Sequence, residues 1–172
     1  MHLNVEIKAR CADKATARKW LLTQGADFRG VDEQTDTYFK IADGRLKLRQ
    51  GNIENSLIHY QRPNQAGPKD SQVTMCHISE GAELKLVLEK ALGVLVEVKK
   101  QREIYFIDNV KFHIDEVPGL GSFVEIEAID SDGTIGKQKL LEQCDQYMQA
   151  LGIEQADLLH NSYSDMLLEK LA

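Results

Sequence analysis

Between residues 45 and 49 the chain reads Arg-Leu-Lys-Leu-Arg, so a strand there sets three cations on one face and two leucines on the other. The same period of two governs much of the sequence. From His2 to Arg10, Leu3, Val5, Ile7 and Ala9 alternate with Asn4, Glu6, Lys8 and Arg10. Further strands are predicted at 35–41, 56–62, 71–78, 94–100, 102–108, 110–117 and 122–130. Helical patterns fall near 12–25, 80–92 and 134–151, with a short one near 162–171; Asp13 and Thr134 are candidate caps. Residues 62–70, with Pro63, Gly67 and Pro68, read as a surface loop. Antiparallel meanders with helices between them make an α+β chain whose sheet is large enough to close. No repeat or linker divides the sequence, so one domain over 1–172 is expected.

The polar faces are not random mixtures. Glu6, Lys8 and Arg10 share a face, as do Arg45, Lys47 and Arg49. Lys100 and Arg102 share another, followed by Lys111, His113 and Asp115, and then by Glu125 and Glu127. Cations at i and i+2 repel each other and make sense when an anion is held between them. Paired carboxylates on a separate strand make sense when a hard divalent cation bridges them to that anion. The apolar faces, such as Leu3/Val5/Ile7 and Val124/Ile126/Ala128, then pack outward against the helices at 12–25 and 134–151. That inverts the usual barrel and gives it a wet, charged lumen. Because like charges do not support one another, truncating Arg45 or Arg102 is expected to weaken ligand use and leave folding little affected.

Composition narrows the partners. Twenty-one basic and 27 acidic side chains give a net charge of −6, a poor match to nucleic acid, so any anion site is a local concentration of cations. The short run Lys99-Lys100-Gln101-Arg102 does not change that in an acidic chain. No apolar run reaches the roughly 18–20 residues that cross a bilayer, and charges occupy the stretch where a signal peptide is apolar. Cytoplasm and no membrane are expected. Cys11, Cys76 and Cys144 show no metal or disulfide spacing and read as small buried hydrophobes. Trp20 and Tyr147 read as core, Gly119 and Gly121 as turn residues, and His2, His59, His77 and His160 as surface or packing. His113 shares the Lys111/Asp115 face, where a structural role outweighs phosphate or metal contact.

These segments together resemble the CYTH family of triphosphate tunnel enzymes, which includes class IV adenylyl cyclases and thiamine triphosphatases. The family's ExExK signature is met by Asn4-Val5-Glu6-Ile7-Lys8. Similar pieces follow in order: 36–39, 44–49, 57–63, 98–102, 112–117 and 119–127. The resemblance implies a closed eight-stranded antiparallel β-barrel, with Lys and Arg as a phosphate clamp and carboxylates holding Mg2+ or Mn2+. Carried over by position, Glu6, Asp115, Glu125 and Glu127 resemble the metal set, and Lys8, Arg45, Lys47, Arg62, Lys100 and Arg102 resemble the phosphate set. Of these, Lys8, Arg45 and Arg102 are the candidates for catalysis. Arg10, Arg49 and Lys111 join the phosphate set through alternation more than through the motif. Asn4 stands where the family has Glu; its carbonyl still ligates a hard cation but adds no charge.

The expected substrate is a small triphosphate: ATP, thiamine triphosphate or inorganic triphosphate. The tail around Ser162-Tyr163-Ser164-Asp165-Met166-Leu167-Leu168 resembles cyclase-type members, which puts conversion of ATP to cyclic AMP and pyrophosphate ahead of triphosphate hydrolysis. A non-catalytic polyphosphate or nucleotide sensor, with Asn4 marking lost metal chemistry, is a third reading. A homodimer stays open. An apolar-ligand barrel is excluded by the polarity of the lumen.

Overall fold

The computed structural model describes residues 2–172. Its strands are β1 (His2–Arg10), β2 (Asp27–Phe39), β3 (Arg45–Gln50), β4 (Asn55–Gln61), β5 (Lys69–His77), β6 (Val94–Ile107), β7 (Val110–Val117) and β8 (Gly121–Asp130). The helices are α1 (Lys14–Thr23), α2 (Gly81–Leu92), α3 (Lys137–Ala150) and α4 (Tyr163–Leu171). The eight strands close into a barrel in the order β1-β5-β4-β3-β2-β6-β7-β8, and every neighbouring pair is antiparallel. Two meanders, β2 to β5 and β6 to β8, thus meet at the long β2/β6 pair and close on either side of β1.

Some boundaries differ from the sequence reading. Residues 94–107 form one strand where two were expected, because the β2 ladder runs through Gln101 and the β7 ladder begins there. The β2 strand starts at Asp27, before the predicted 35, since pairing with β6 supplies hydrogen bonds that its polar sequence does not advertise. Its register slips at Gly30, whose φ of 119° suits glycine. Strand β5 takes in Lys69 and Asp70 from the predicted loop. Asp13 caps α1, accepting from the Thr16 N–H at 3.0 Å. Thr134 does not cap α3: it donates to Asp132 in a turn, and the helix begins after Gly136.

The main apolar core lies outside the barrel, as the alternation requires. Val5, Ile7 and Ala9 of β1 pack with Val124, Ile126 and Ala128 of β8 and with Phe112 and Ile114 of β7. Ala17 and Leu21 of α1 and Leu140 and Cys144 of α3 cover them. Trp20 meets Tyr147 edge-on at 6.1 Å, and Tyr147 meets Phe112 at 4.9 Å. Each fully buried aliphatic side chain contributes about 1.5–3 kcal/mol, so the stabilising area sits on the outside and leaves the lumen free for charge. Cys11 and Cys144 are buried as expected; Cys76, on β5, is exposed.

A second apolar cluster closes one end of the barrel. Tyr38, Tyr60, Val98 and Phe123 pack there against Tyr163, Met166 and Leu167 of α4. Ser162 and Asp165 form a reciprocal cap that fixes the start of α4. No helix among the described residues is long and apolar enough to cross a membrane.

Candidate active site: a charged tunnel with one covered end

The lumen holds a cavity of about 570 Å³, in the range typical of small-molecule sites. Among the expected residues Glu6, Lys8, Lys47, Arg49, Arg62, Lys100, Arg102, Lys111, Glu125 and Glu127 line it. His113 lines it too, buried, with Nε2 lacking a hydrogen-bond partner. Four expected residues sit elsewhere. Arg10 emerges exposed at the end of β1, over the Phe123 ring at 5.6 Å. Arg45 turns to the covered end, where Nη2 donates to Asp165 of α4 at 2.8 Å. Asp115 and Asn4 are buried and do not line the cavity.

The cations do not stand bare. Asp36 of β2, 1% exposed, gathers the first group. Its Oδ2 accepts from Arg49 Nη2 at 2.9 Å and Lys100 Nζ at 2.8 Å, with Lys47 Nζ at 3.2 Å, while Oδ1 accepts from Arg49 Nε at 2.9 Å. Burial pushes the Asp36 carboxyl up, but Arg49, Lys100 and Lys47 outweigh it and hold it well below the usual carboxylate range. Glu54, between β3 and β4, accepts from Arg49 Nη1 at 3.1 Å and pairs with Lys111. Asp32 shapes that loop by accepting the Ile53 and Glu54 N–H groups, each at 2.9 Å. A Cβ at Gly51 would collide with the Asp32 carboxylate, so only glycine fits there.

Arg102 anchors the second group. Its Nε and Nη2 donate to Asp115 at 2.7 and 2.6 Å, and Nη2 also reaches Glu125 at 2.9 Å. Tyr163 of α4 donates its hydroxyl to Asp115 Oδ2 at 2.7 Å, and His113 Nδ1 lies 3.3 Å from Glu125. Lys8 sits over the Tyr163 ring at 3.7 Å and 3.9 Å from Glu125; burial pushes its ammonium pKa down. These contacts run against the expectation that Arg102 is dispensable for folding: its guanidinium holds two buried carboxylates.

At the β1/β8 seam Glu6 and Glu127 stand directly opposite each other, and both line the cavity. Asn4 donates Nδ2 to Glu127, while its Oδ1 is buried without a partner. Among the described residues no three His, Cys, Asp or Glu side chains group closely enough to hold a metal alone. Glu6 is paired with Arg62; by taking that guanidinium's place, a hard cation of the Mg2+ or Mn2+ kind, commonly held by one or two carboxylates and completed by substrate phosphate and water, would fit between Glu6 and Glu127 beside the orphaned amide oxygen. Both oxygens of Asp115 are already engaged by Arg102 and Tyr163.

Sequence reasoning passed over Asp36 and Glu54. Asp36 was within a recognised segment and shares the lumen face of Tyr38, a signal that was present. Glu54 lies in a loop without periodicity and gave none. Tyr163 and Asp165 were seen as part of the tail, but their contacts with Asp115 and Arg45 join residues 48 and 120 positions apart.

Known proteins share this architecture. A candidate adenylate cyclase of Methanocaldococcus jannaschii is 28% identical over 179 residues, covering 95% of this chain and 98% of the relative. A solved structure from Vibrio parahaemolyticus, also named as a candidate adenylate cyclase, superposes with a TM-score of 0.81 at 20% identity, covering 96% of this chain and 98% of that one. A Hippeastrum protein, named as a candidate adenylyl cyclase that reveals a dominant triphosphatase activity, gives a TM-score of 0.62 at 13% identity, covering 99% and 96%. Such low identities speak to the fold alone. The model of the CYTH domain matches residues 2–163, and the chain belongs to that family.

Proposed function

We propose that the protein is a divalent-metal-assisted triphosphatase that holds the triphosphate chain along the tunnel and transfers its terminal phosphoryl group to water. The observation that carries this reading is the convergence of Lys47, Arg49 and Lys100 on one buried carboxylate, Asp36. Three donors already aimed at a single anionic centre need little rearrangement when phosphate oxygens arrive. Arg62, whose Nη1 pairs with Glu6 while its Nε is buried without a hydrogen-bond partner, extends the clamp. Lys8 and Arg102 face the chain beside Glu125 and offset charge that builds on the leaving oxygen. Glu6 and Glu127, with Asn4 alongside, would hold Mg2+ or Mn2+, which supplies charge neutralisation on phosphate oxygens and helps orient the attacking water. The water oxygen bonds to the terminal phosphorus, the bridging P–O bond breaks, the diphosphate product keeps the electron pair, and the water's proton passes to a product phosphate oxygen or to solvent. Phosphoryl transfer of this kind is mostly positioning and charge stabilisation.

Cyclisation of ATP is the second reading, favoured by the name given to the Methanocaldococcus relative and by the resemblance of the tail. It ranks lower because the tail residues have other duties: Ser162 and Asp165 cap α4, and Tyr163 supports Asp115. ATP, thiamine triphosphate and inorganic triphosphate, each with Mg2+ or Mn2+ and with products resolved by chromatography, decide the matter. Orthophosphate is the expected product. Cyclic AMP with pyrophosphate would establish the second reading, and metal-independent turnover would overturn both. Glu6→Gln and Glu127→Gln should each lower turnover tenfold or more at ordinary metal levels, with partial recovery at high Mn2+.

A further inference from the structure

Toward the uncovered end of the tunnel the wall changes character. Ile129 follows Glu127 by two residues on the lumen face of β8, and Phe106 stands opposite Lys111 where β6 meets β7. Met75 of β5, Ile53 of the β3–β4 loop and Ile78 complete the ring. Ile53 is 41% and Met75 44% exposed, so this rim presents large apolar side chains to water. Such a rim contributes little to the fold, and a contiguous exposed apolar patch marks a binding surface. It is continuous with the cation-rich middle through one cavity.

Polar side chains at the rim are few: the imidazoles of His2 and His77, Asn55 and Ser56. Asn55 exchanges both amide hydrogen bonds with the Gly51 backbone. His77 Nδ1 lies 3.4 Å from the Ser56 hydroxyl. Among the described residues no free side-chain amide or carboxylate lines the rim to read the edge of a base. We infer that the open end is a subsite for an apolar organic group esterified to the polyphosphate, held by burial and not by hydrogen bonds. The inference rests on the reading that the middle of the tunnel binds the polyphosphate chain, and it narrows the substrate class to organic triphosphate monoesters with an apolar body.

The test is calorimetric titration of the full chain, with Mg2+, using methylene-bridged triphosphate analogues that resist hydrolysis. The series is the unesterified analogue, its methyl, butyl and octyl esters, and the corresponding analogue of ATP. Affinity should rise about threefold to fourfold per added methylene until the ring is filled. The gain of the octyl ester over the unesterified analogue should shrink at least fivefold in the double variant Ile53→Gln/Met75→Gln, whose rim positions tolerate polar side chains. Binding of the unesterified analogue with no gain along the series overturns this inference and leaves the triphosphate reading standing. An ATP analogue that outbinds every alkyl ester also overturns it, in favour of a base-reading site. No binding of any analogue overturns both.

Discussion

Replacing Arg102 by alanine deletes the guanidinium that donates to Asp115 through two nitrogens and to Glu125 through one, all within 2.9 Å. Asp115 and Arg102 are buried, at 0% and 3% exposure, so water cannot take over these bonds. Breaking one side of a buried pair costs about 3–5 kcal/mol, because an uncompensated charge stays inside. With a urea dependence of about 2 kcal/mol per molar, the unfolding midpoint at pH 7 should fall by about 1.5–2.5 M. Burial pushes both carboxyls up, but Arg102 holds Asp115 below its ordinary pKa, and Lys8, His113 and Arg102 together hold Glu125 well below its own. A depressed carboxylate pKa adds stability above the unfolded value, about 4, and loses it as pH falls through the folded value. The gap between parent and variant should therefore be wide at pH 7 and clearly narrowed at pH 2, below the unfolded value. Urea titrations at both pH values on the parent, Arg102→Ala and Arg102→Met provide the measurement, the methionine retaining most of the stem's packing. A midpoint within 0.3 M of the parent at pH 7, or a gap that acid leaves unchanged, would refute the network as a source of stability.

Asp36→Asn removes the carboxylate shared by Lys47, Arg49 and Lys100, so the free protein should melt lower; inorganic triphosphate should raise its melting temperature by more than it raises the parent's, since the ligand then supplies the missing anion. Asn4→Glu sets a third carboxylate beside Glu6 and Glu127, and should lower the melting temperature without metal, restore it with Mg2+, and reduce the half-saturating metal concentration of turnover. Arg45→Ala breaks a half-buried pair with Asp165 and should cost only about 0–1 kcal/mol, while amide hydrogen exchange quickens selectively over residues 163–171.

The alternation around residues 2–10, 45–49 and 122–130 by itself determines the inside and outside of this barrel, because a period of two leaves each side chain only one face to occupy. The same rule placed Glu6, Lys8, Lys47, Arg49, Lys100, Arg102, Glu125 and Glu127 toward one lumen. It did not fix how far along the tunnel each strand carries its charges, nor what each charge meets. Arg10 and Lys8 share a face, yet Arg10 is the last residue of β1 and reaches solvent. Asp115 shares a face with Lys111 and His113, yet its partners are Arg102 on β6 and Tyr163 from 48 residues later. Pairings across the lumen depend on strand register, on the shear that closing eight strands imposes, and on where α4 caps the barrel. Each is a long-range outcome of closure, set by outward apolar packing, and the local sequence around the charged residues carries no record of it.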